Sequence, residues 1–248
     1  MMKKRNEKIK RIRNYLLMLV AVLIMGLAGS GVSVHAEGTA KGQIVLSMEK
    51  LTIGQGFIIE PEYVDFYEGD NLATILLRQL AKIGRRYNYD GRPSFGFYIS
   101  EISDPDREPV QVPDYIKTMM EKSCNPSDPK TQFHETDYTP DYLGEKDYYP
   151  QSGWMFAYNG AYPNTSASDI VPRNGDVVQW KFTLITLGHD LDGDTEYLKA
   201  NHLKALNRVR LYKLLAEVKR RPELLNDSAV KTAYDRCLSL AQNLRTSE

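Results

Sequence analysis

The sequence predicts an α+β fold: one mixed or antiparallel sheet with helices on one face, followed by a C-terminal helical hairpin. Three observations predict it. Short runs with strand character bracket two stretches whose apolar residues recur at helical spacing. The elements come in the order strand, strand, helix, strand, helix, strand, strand. Beyond residue 194 only helical periodicity is left.

Gln43 to Met48 is a short strand pattern, and Phe57 to Phe66 is a second extended segment, broken by Pro61. Tyr67-Glu68-Gly69-Asp70 turns the chain. Asp70 or Asn71 caps a helix with apolar positions Leu72, Ile75, Leu76, Leu80 and Ile83, and Gly84 suits its end. Phe95 to Ile102 alternates aromatics as a strand does. Pro113 opens a short helix carrying Tyr115, Ile116, Met119 and Met120. Trp154 to Tyr158 and Val177 to Leu184 are the last two strands, with Asn159-Gly160 and Asn174-Gly175-Asp176 as turn signals. From Cys124 to Ser152 there is no periodicity. That stretch holds Tyr138, Tyr142, Tyr148 and Tyr149, and it reads either as a functional loop or as solvated decoration.

The hairpin follows an acidic linker, His189 to Glu196, that lacks the sixth-position Gly and distant Glu of an EF-hand. Asp194 or Thr195 caps its first helix, with Leu211, Leu214, Leu215 and Val218 as the stripe, and Pro222 stops it. Asp227 or Ser228 caps the second, whose stripe is Val230, Ala233, Tyr234, Cys237, Leu238 and Ala241. Two helices this short need a surface to bury those stripes, whether the sheet, each other or a partner.

The N-terminus reads as an export signal over residues 1–36. Lys3, Lys4, Arg5, Lys8, Lys10, Arg11 and Arg13 form a basic region, Tyr15 to Gly29 is uncharged and mostly aliphatic, and Val34-His35-Ala36 offers the small residues a signal peptidase reads. The cut falls between Ala36 and Glu37; an uncleaved signal anchor is the other reading. The apolar run is short of the roughly 20 residues of a spanning helix, so no stable membrane insertion is expected after cleavage. The expected location is secreted and associated with the cell surface. Removing the leader leaves 25 basic residues against 31 acidic ones, a formal charge of −6. That balance argues against nucleic acid as a partner, because phosphate contacts need clustered Lys and Arg. Cys124 and Cys237 either pair, closing a long loop worth a few kcal/mol, or leave Cys237 as a free thiol on an apolar helix face. Neither has metal-ligand spacing.

Catalytic motifs are missing. His134, His189 and His202 sit near no nucleophile in a recognisable pattern, and there is no Ser elbow, phosphate loop or His-Glu-x-x-His. The expectation is a non-enzymatic protein with no required cofactor. Asn164-Thr165-Ser166 is a formal glycosylation sequon, meaningful only in a eukaryotic secretory pathway.

Gly153-Trp154-Met155-Phe156-Ala157-Tyr158-Asn159-Gly160, then Pro163-Asn164, Ser168-Asp169 and Asn174-Gly175-Asp176-Val177-Val178-Gln179-Trp180, resemble the closing block of the transcobalamin-like C-terminal domain family. Leu51-Thr52-Ile53-Gly54-Gln55-Gly56, Glu60-Pro61 and Phe66-Tyr67-Glu68-Gly69-Asp70 resemble the opening block of its bacterial members, and Tyr98-Ile99-Ser100-Glu101-Ile102 its central strand. The resemblance implies a β-grasp-type domain over residues 37–188, with residues 189–248 as linker and hairpin, in an exported surface protein of Gram-positive bacteria. It also implies cobalamin or a related corrinoid as the ligand. In that family cobalamin is sandwiched between this domain and a separate helical barrel. Here a hairpin stands in the barrel's place, so a partner protein would complete the site. Under this reading Trp154, Tyr158, Tyr162, Asn164 and Tyr98 bind the ligand, while Phe156 belongs to the core. The alternative is a cell-surface adhesion or protein-interaction domain that has no small-molecule ligand.

Overall fold

The computed structural model describes residues 38–105, 109–123, 132–185, 188–191 and 208–242. The leader, its cut between Ala36 and Glu37, Cys124 and the cap at Asp194 or Thr195 lie outside the described residues. Ala40 onward forms one compact unit.

Among the described residues, seven strands and four helices follow in order: β1 (Gly42–Glu49), β2 (Phe57–Phe66), α1 (Leu72–Lys82), β3 (Tyr87–Arg92), β4 (Phe95–Ser103), α2 (Asp114–Ser123), β5 (Tyr142–Gly144), β6 (Gly153–Tyr158), β7 (Val177–Thr183), α3 (Val209–Arg220) and α4 (Ser228–Gln242). The α+β class stands, but the strands form two sheets where one was expected. A four-stranded sheet has the order β2-β1-β7-β6, and a three-stranded one β3-β4-β5. The larger is mixed, because β1 and β7 run parallel while β2 and β6 pair antiparallel at its edges. A parallel pair needs a long crossover, and here everything between the first and last strands supplies it.

Local chemistry explains the elements. Pro61 does not break β2. Leu46 faces Glu62 and Met48 faces Ile59, so β2 spends one residue more than β1 across Glu60-Pro61. A bulge on an edge strand is where a residue without an N–H is tolerated. Asn71 caps α1 in a reciprocal box: its side chain accepts from the Thr74 N–H, and the Thr74 side chain accepts from the Asn71 N–H. The α1 stripe is buried as expected at Leu72, Ile75, Leu76 and Leu80, while Ile83 at the cap is 40% exposed. All seven residues of β7 are buried, as suits a central strand covered on both sides.

Those two sides carry different cores. Ile44, Leu46, Met48, Trp154, Val178, Trp180 and Phe182 meet α1, α2 and the inner face of the small sheet. Val45 and Val177 meet Tyr212, Leu215, Ala216 and Ala241 of the hairpin. The hairpin thus packs both on the sheet and on itself. Its first helix is phased differently from the expected stripe. Tyr212, Leu215 and Ala216 point inward, and Leu214 is 52% exposed. The Tyr212 hydroxyl reaches buried Glu49, which also faces Lys181 at 3.7 Å. Burial first, then the Glu49 charge, holds the Tyr212 phenol well above its ordinary range. Arg208 donates to the Ala241 carbonyl at 2.7 Å, tying the start of α3 to the end of α4. Asp227 accepts from the backbone of Ala229 and Val230, as its cap position requires. Cys237 is half-buried against this core as a free thiol.

Beyond β7 the chain is clamped by Asp190, which is fully buried. Its carboxylate accepts from the Thr183 hydroxyl and from the Leu184 N–H at 2.8 Å. Burial pushes its pKa from 3.8 up to about 6, against the downward pull of those hydrogen bonds. The folded carboxyl therefore keeps its proton where the unfolded chain has lost it. Its contribution is full below the unfolded value and is lost as pH rises through about 6. The swing is on the order of 3 kcal/mol. Urea midpoints at pH 4 and pH 7 are expected to differ by that contribution in the parent and to differ less in Asp190→Asn. An equal pH dependence in both would remove Asp190 as the source.

Candidate binding site

The block singled out by sequence is built by β6, two turns and β7. Asn159 and Gly160 both take positive φ, 53° and 85°, and the turn closes with the Ala161 N–H on the Tyr158 carbonyl at 3.1 Å. It does not join two long strands. It ends on a single bridge, Tyr158 with Ala161, and the chain then detours through a 3-10 turn at Ala167–Asp169 before β7 begins. Asp176 ties the two turns together. It accepts from the Tyr158 hydroxyl at 2.6 Å, the Asn159 side-chain amide at 2.9 Å and the Arg173 N–H at 2.7 Å. Asn159 in turn accepts from the Val177 N–H. The Asn-Gly and Gly-Asp pieces therefore serve the fold.

Trp154 is 2% exposed. Its indole donates to the Leu143 carbonyl at 3.1 Å, and its ring meets Phe182 edge-on at 5.3 Å. The expectation that it lines a ligand surface is corrected, because alternation in β6 turns it into the core beside Phe156. Tyr158 shares that side, half-buried, its hydroxyl spent on Asp176; burial and that hydrogen bond push its pKa to about 12. Tyr98 lies in the other sheet. Its hydroxyl abuts Gly153, where a Cβ would stand 2.6 Å from the phenolic oxygen, so glycine is required for the approach. Burial first, then Glu145, raises the Tyr98 phenol to about 12. Tyr162 belongs to the opposite side of the large sheet, with the Lys181 ammonium 5.7 Å from its ring centroid. Asn164 is exposed. The five nominated residues do not converge on one surface.

The tyrosines of the aperiodic stretch divide likewise. Tyr148 and Tyr149 are buried at 1%, Tyr142 starts β5, and Tyr138 is 43% exposed. A cleft of about 500 Å³ opens between the start of α2 and the 133–135 segment, lined by Val110, Val112, Asp114, Lys117, Phe133 and Glu135. It includes none of the five. Among the described residues no group of His, Cys, Asp and Glu is placed to hold a metal, and no helix is long and apolar enough to cross a membrane.

Among the described residues the most exposed large apolar side chains, Phe95 at 76% and Val171 at 73%, are ones the sequence did not single out. Phe95 sits at the tip of the β3–β4 hairpin, next to Gly96 at φ 63°. The signal was available: Gly91-Arg92-Pro93-Ser94-Phe95-Gly96 sets an aromatic among turn formers.

Comparison with curated proteins finds no match to this chain. Residues 139–183, which run from just before β5 to the end of β7, match the model of a family described as Domain of unknown function (DUF4430).

Proposed function

We propose that the chain is an exported, non-enzymatic binding module that recognises a macromolecule through its surface. The observation that carries this reading is Phe95, 76% in water on a hairpin tip, while the aromatics nominated for a small ligand are spent inside the fold or on separate faces. Scattered apolar residues on a surface need no explanation, but an aromatic held out on a constrained turn is the kind of anchor binding surfaces use. Export is supported by the basic region, apolar run and Val34-His35-Ala36 of the leader. The closing block of the likeness to transcobalamin-like domains, Gly153 to Trp180, falls in the segment that also matches the family of unknown function, and it supports a domain built for recognition.

Titrating residues 37–248 with cyanocobalamin and cobinamide, followed by visible spectrum and calorimetry, is expected to give no saturable response. Saturable binding, weakened by Tyr162→Ala in a protein that still folds, would replace this reading with corrinoid capture. N-terminal sequencing of protein recovered outside the membrane is expected to start at Glu37. A protein retaining Met1 would make the leader an anchor.

A further inference from the structure

We propose that the cleft between the start of α2 and the 133–135 segment takes an extended polypeptide segment, which pairs as a strand with the main chain of Val110 and Val112. This site is separate from the Phe95 surface, stands without it, and fixes the partner's chemistry.

One wall of the cleft is an extended stretch with a free edge. Val110 is half-buried, Gln111 exposed and Val112 only 6% exposed, the period of two of an extended chain. Main-chain groups alternate sides in the same way. Gln111 spends its own on the neighbouring turn. Its N–H donates to the Ile53 carbonyl at 2.9 Å, and its carbonyl oxygen comes so close to Gly54 that a Cβ there would lie 2.1 Å away. Gly54, at φ 72°, allows that approach. The N–H and C=O of Val110 and Val112 therefore point the other way, and none of them has a hydrogen-bond partner among the described residues. Main-chain groups in residues as enclosed as Val112 are nearly always paired, so these have bonding capacity to offer.

The opposite wall supplies an apolar contact through Phe133. Its ring lies against Tyr148, with centroids 6.3 Å apart and 26° between planes, and the His134 N–H donates to the Tyr148 carbonyl at 2.8 Å. Tyr148 is 1% exposed, so it anchors this wall to the core. The space between the walls, about 500 Å³, falls in the roughly 300–1,000 Å³ range of binding pockets. Both walls are fixed before any partner arrives, which keeps the entropy cost of binding low. A ligand that presents a donor and an acceptor to alternate residues of an extended stretch is a peptide main chain, the basis of strand addition. The rim side chains Asp114, Lys117 and Glu135 are exposed and of both signs, with Asp114 and Lys117 3.8 Å apart. Selection therefore falls to the main chain and to an apolar side chain set against Phe133.

The test pans a displayed library of random linear peptides on residues 37–248, then resynthesises the best binder with one main-chain nitrogen methylated at a time. Strand pairing is expected to make the losses alternate: about tenfold or more where the peptide N–H meets Val110 or Val112, and little at the residues between. Amide exchange at Val110 and Val112 is expected to slow when the unmethylated peptide is added, while Gln111, already bonded to Ile53, changes little. Phe95→Ser alters only an exposed side chain and is expected to leave the affinity as it was. Losses without alternation, or no protection at Val110 and Val112, would overturn the cleft as the site. Binding abolished by Phe95→Ser would do the same while supporting the surface reading. No enriched peptide at all would overturn the cleft and leave the Phe95 reading in place.

Discussion

Trp154→Ala is expected to destabilise the protein by about 3–5 kcal/mol, a large part of the roughly 5–15 kcal/mol by which ordinary domains are stable. The ring lies at the centre of the larger core and is 2% exposed. Removing it deletes the edge contact with Phe182 and the indole's hydrogen bond to the Leu143 carbonyl, which Ile102 also faces in the β4–β5 ladder. The neighbouring β7 is paired on both sides, so the site collapses only in part and a cavity cost adds to the lost burial. Trp154→Phe keeps most of the volume and loses the N–H; about 1 kcal/mol is expected for one lost hydrogen bond. Urea unfolding measures both, with m unchanged if the native and denatured states are otherwise alike. A Trp154→Ala midpoint within about 1 kcal/mol of the parent would put the ring outside the core. Loss of any binding in this variant would report unfolding, so Phe95→Ser and Tyr162→Ala are the variants that probe surfaces.

The difference between Trp154 and Phe95 shows how far the sequence could be read. Period and capping found β2 with its bounds, the stripe of α1, the Pro113 start of α2 and the Asp227 cap of α4. In each the signal is local and backbone chemistry decides. β3 was missed because it is an exposed edge in which Tyr87 and Tyr89 alternate with polar residues and Gly91 ends the pattern. β5 was missed because three residues cannot show a period. In α3, Tyr212 was missed as an inward position because its hydroxyl partner, Glu49, is far away in sequence. The candidate site failed for a related reason. Alternation correctly put Trp154, Phe156 and Tyr158 on one side of β6, but it says nothing about which side meets the core. That depends on the second sheet, whose edge strands carry the two missed signals.

Lys50→Met is expected to cost about 3–5 kcal/mol, because it strands a buried carboxylate. Lys50 and Asp104 form an ion pair at 2.7 Å, with side chains 8% and 2% exposed. The pair joins the end of β1 to the end of β4, and so one sheet to the other. Both backbones are fixed: the Lys50 N–H donates to Gly56, its carbonyl accepts from Gln55, and the Asp104 N–H donates to Asp141 at 2.8 Å. Asp104→Leu is expected to cost a similar amount by stranding the ammonium. The double variant Lys50→Met, Asp104→Leu is expected to recover most of the loss, since two apolar groups leave no charge to desolvate. Single variants costing under about 1 kcal/mol, or a double variant as unstable as their sum, would show that the pair is solvated in solution. Phe95 extends from β4, whose far end this pair pins, so the singles are also expected to speed amide exchange in β4 under native conditions.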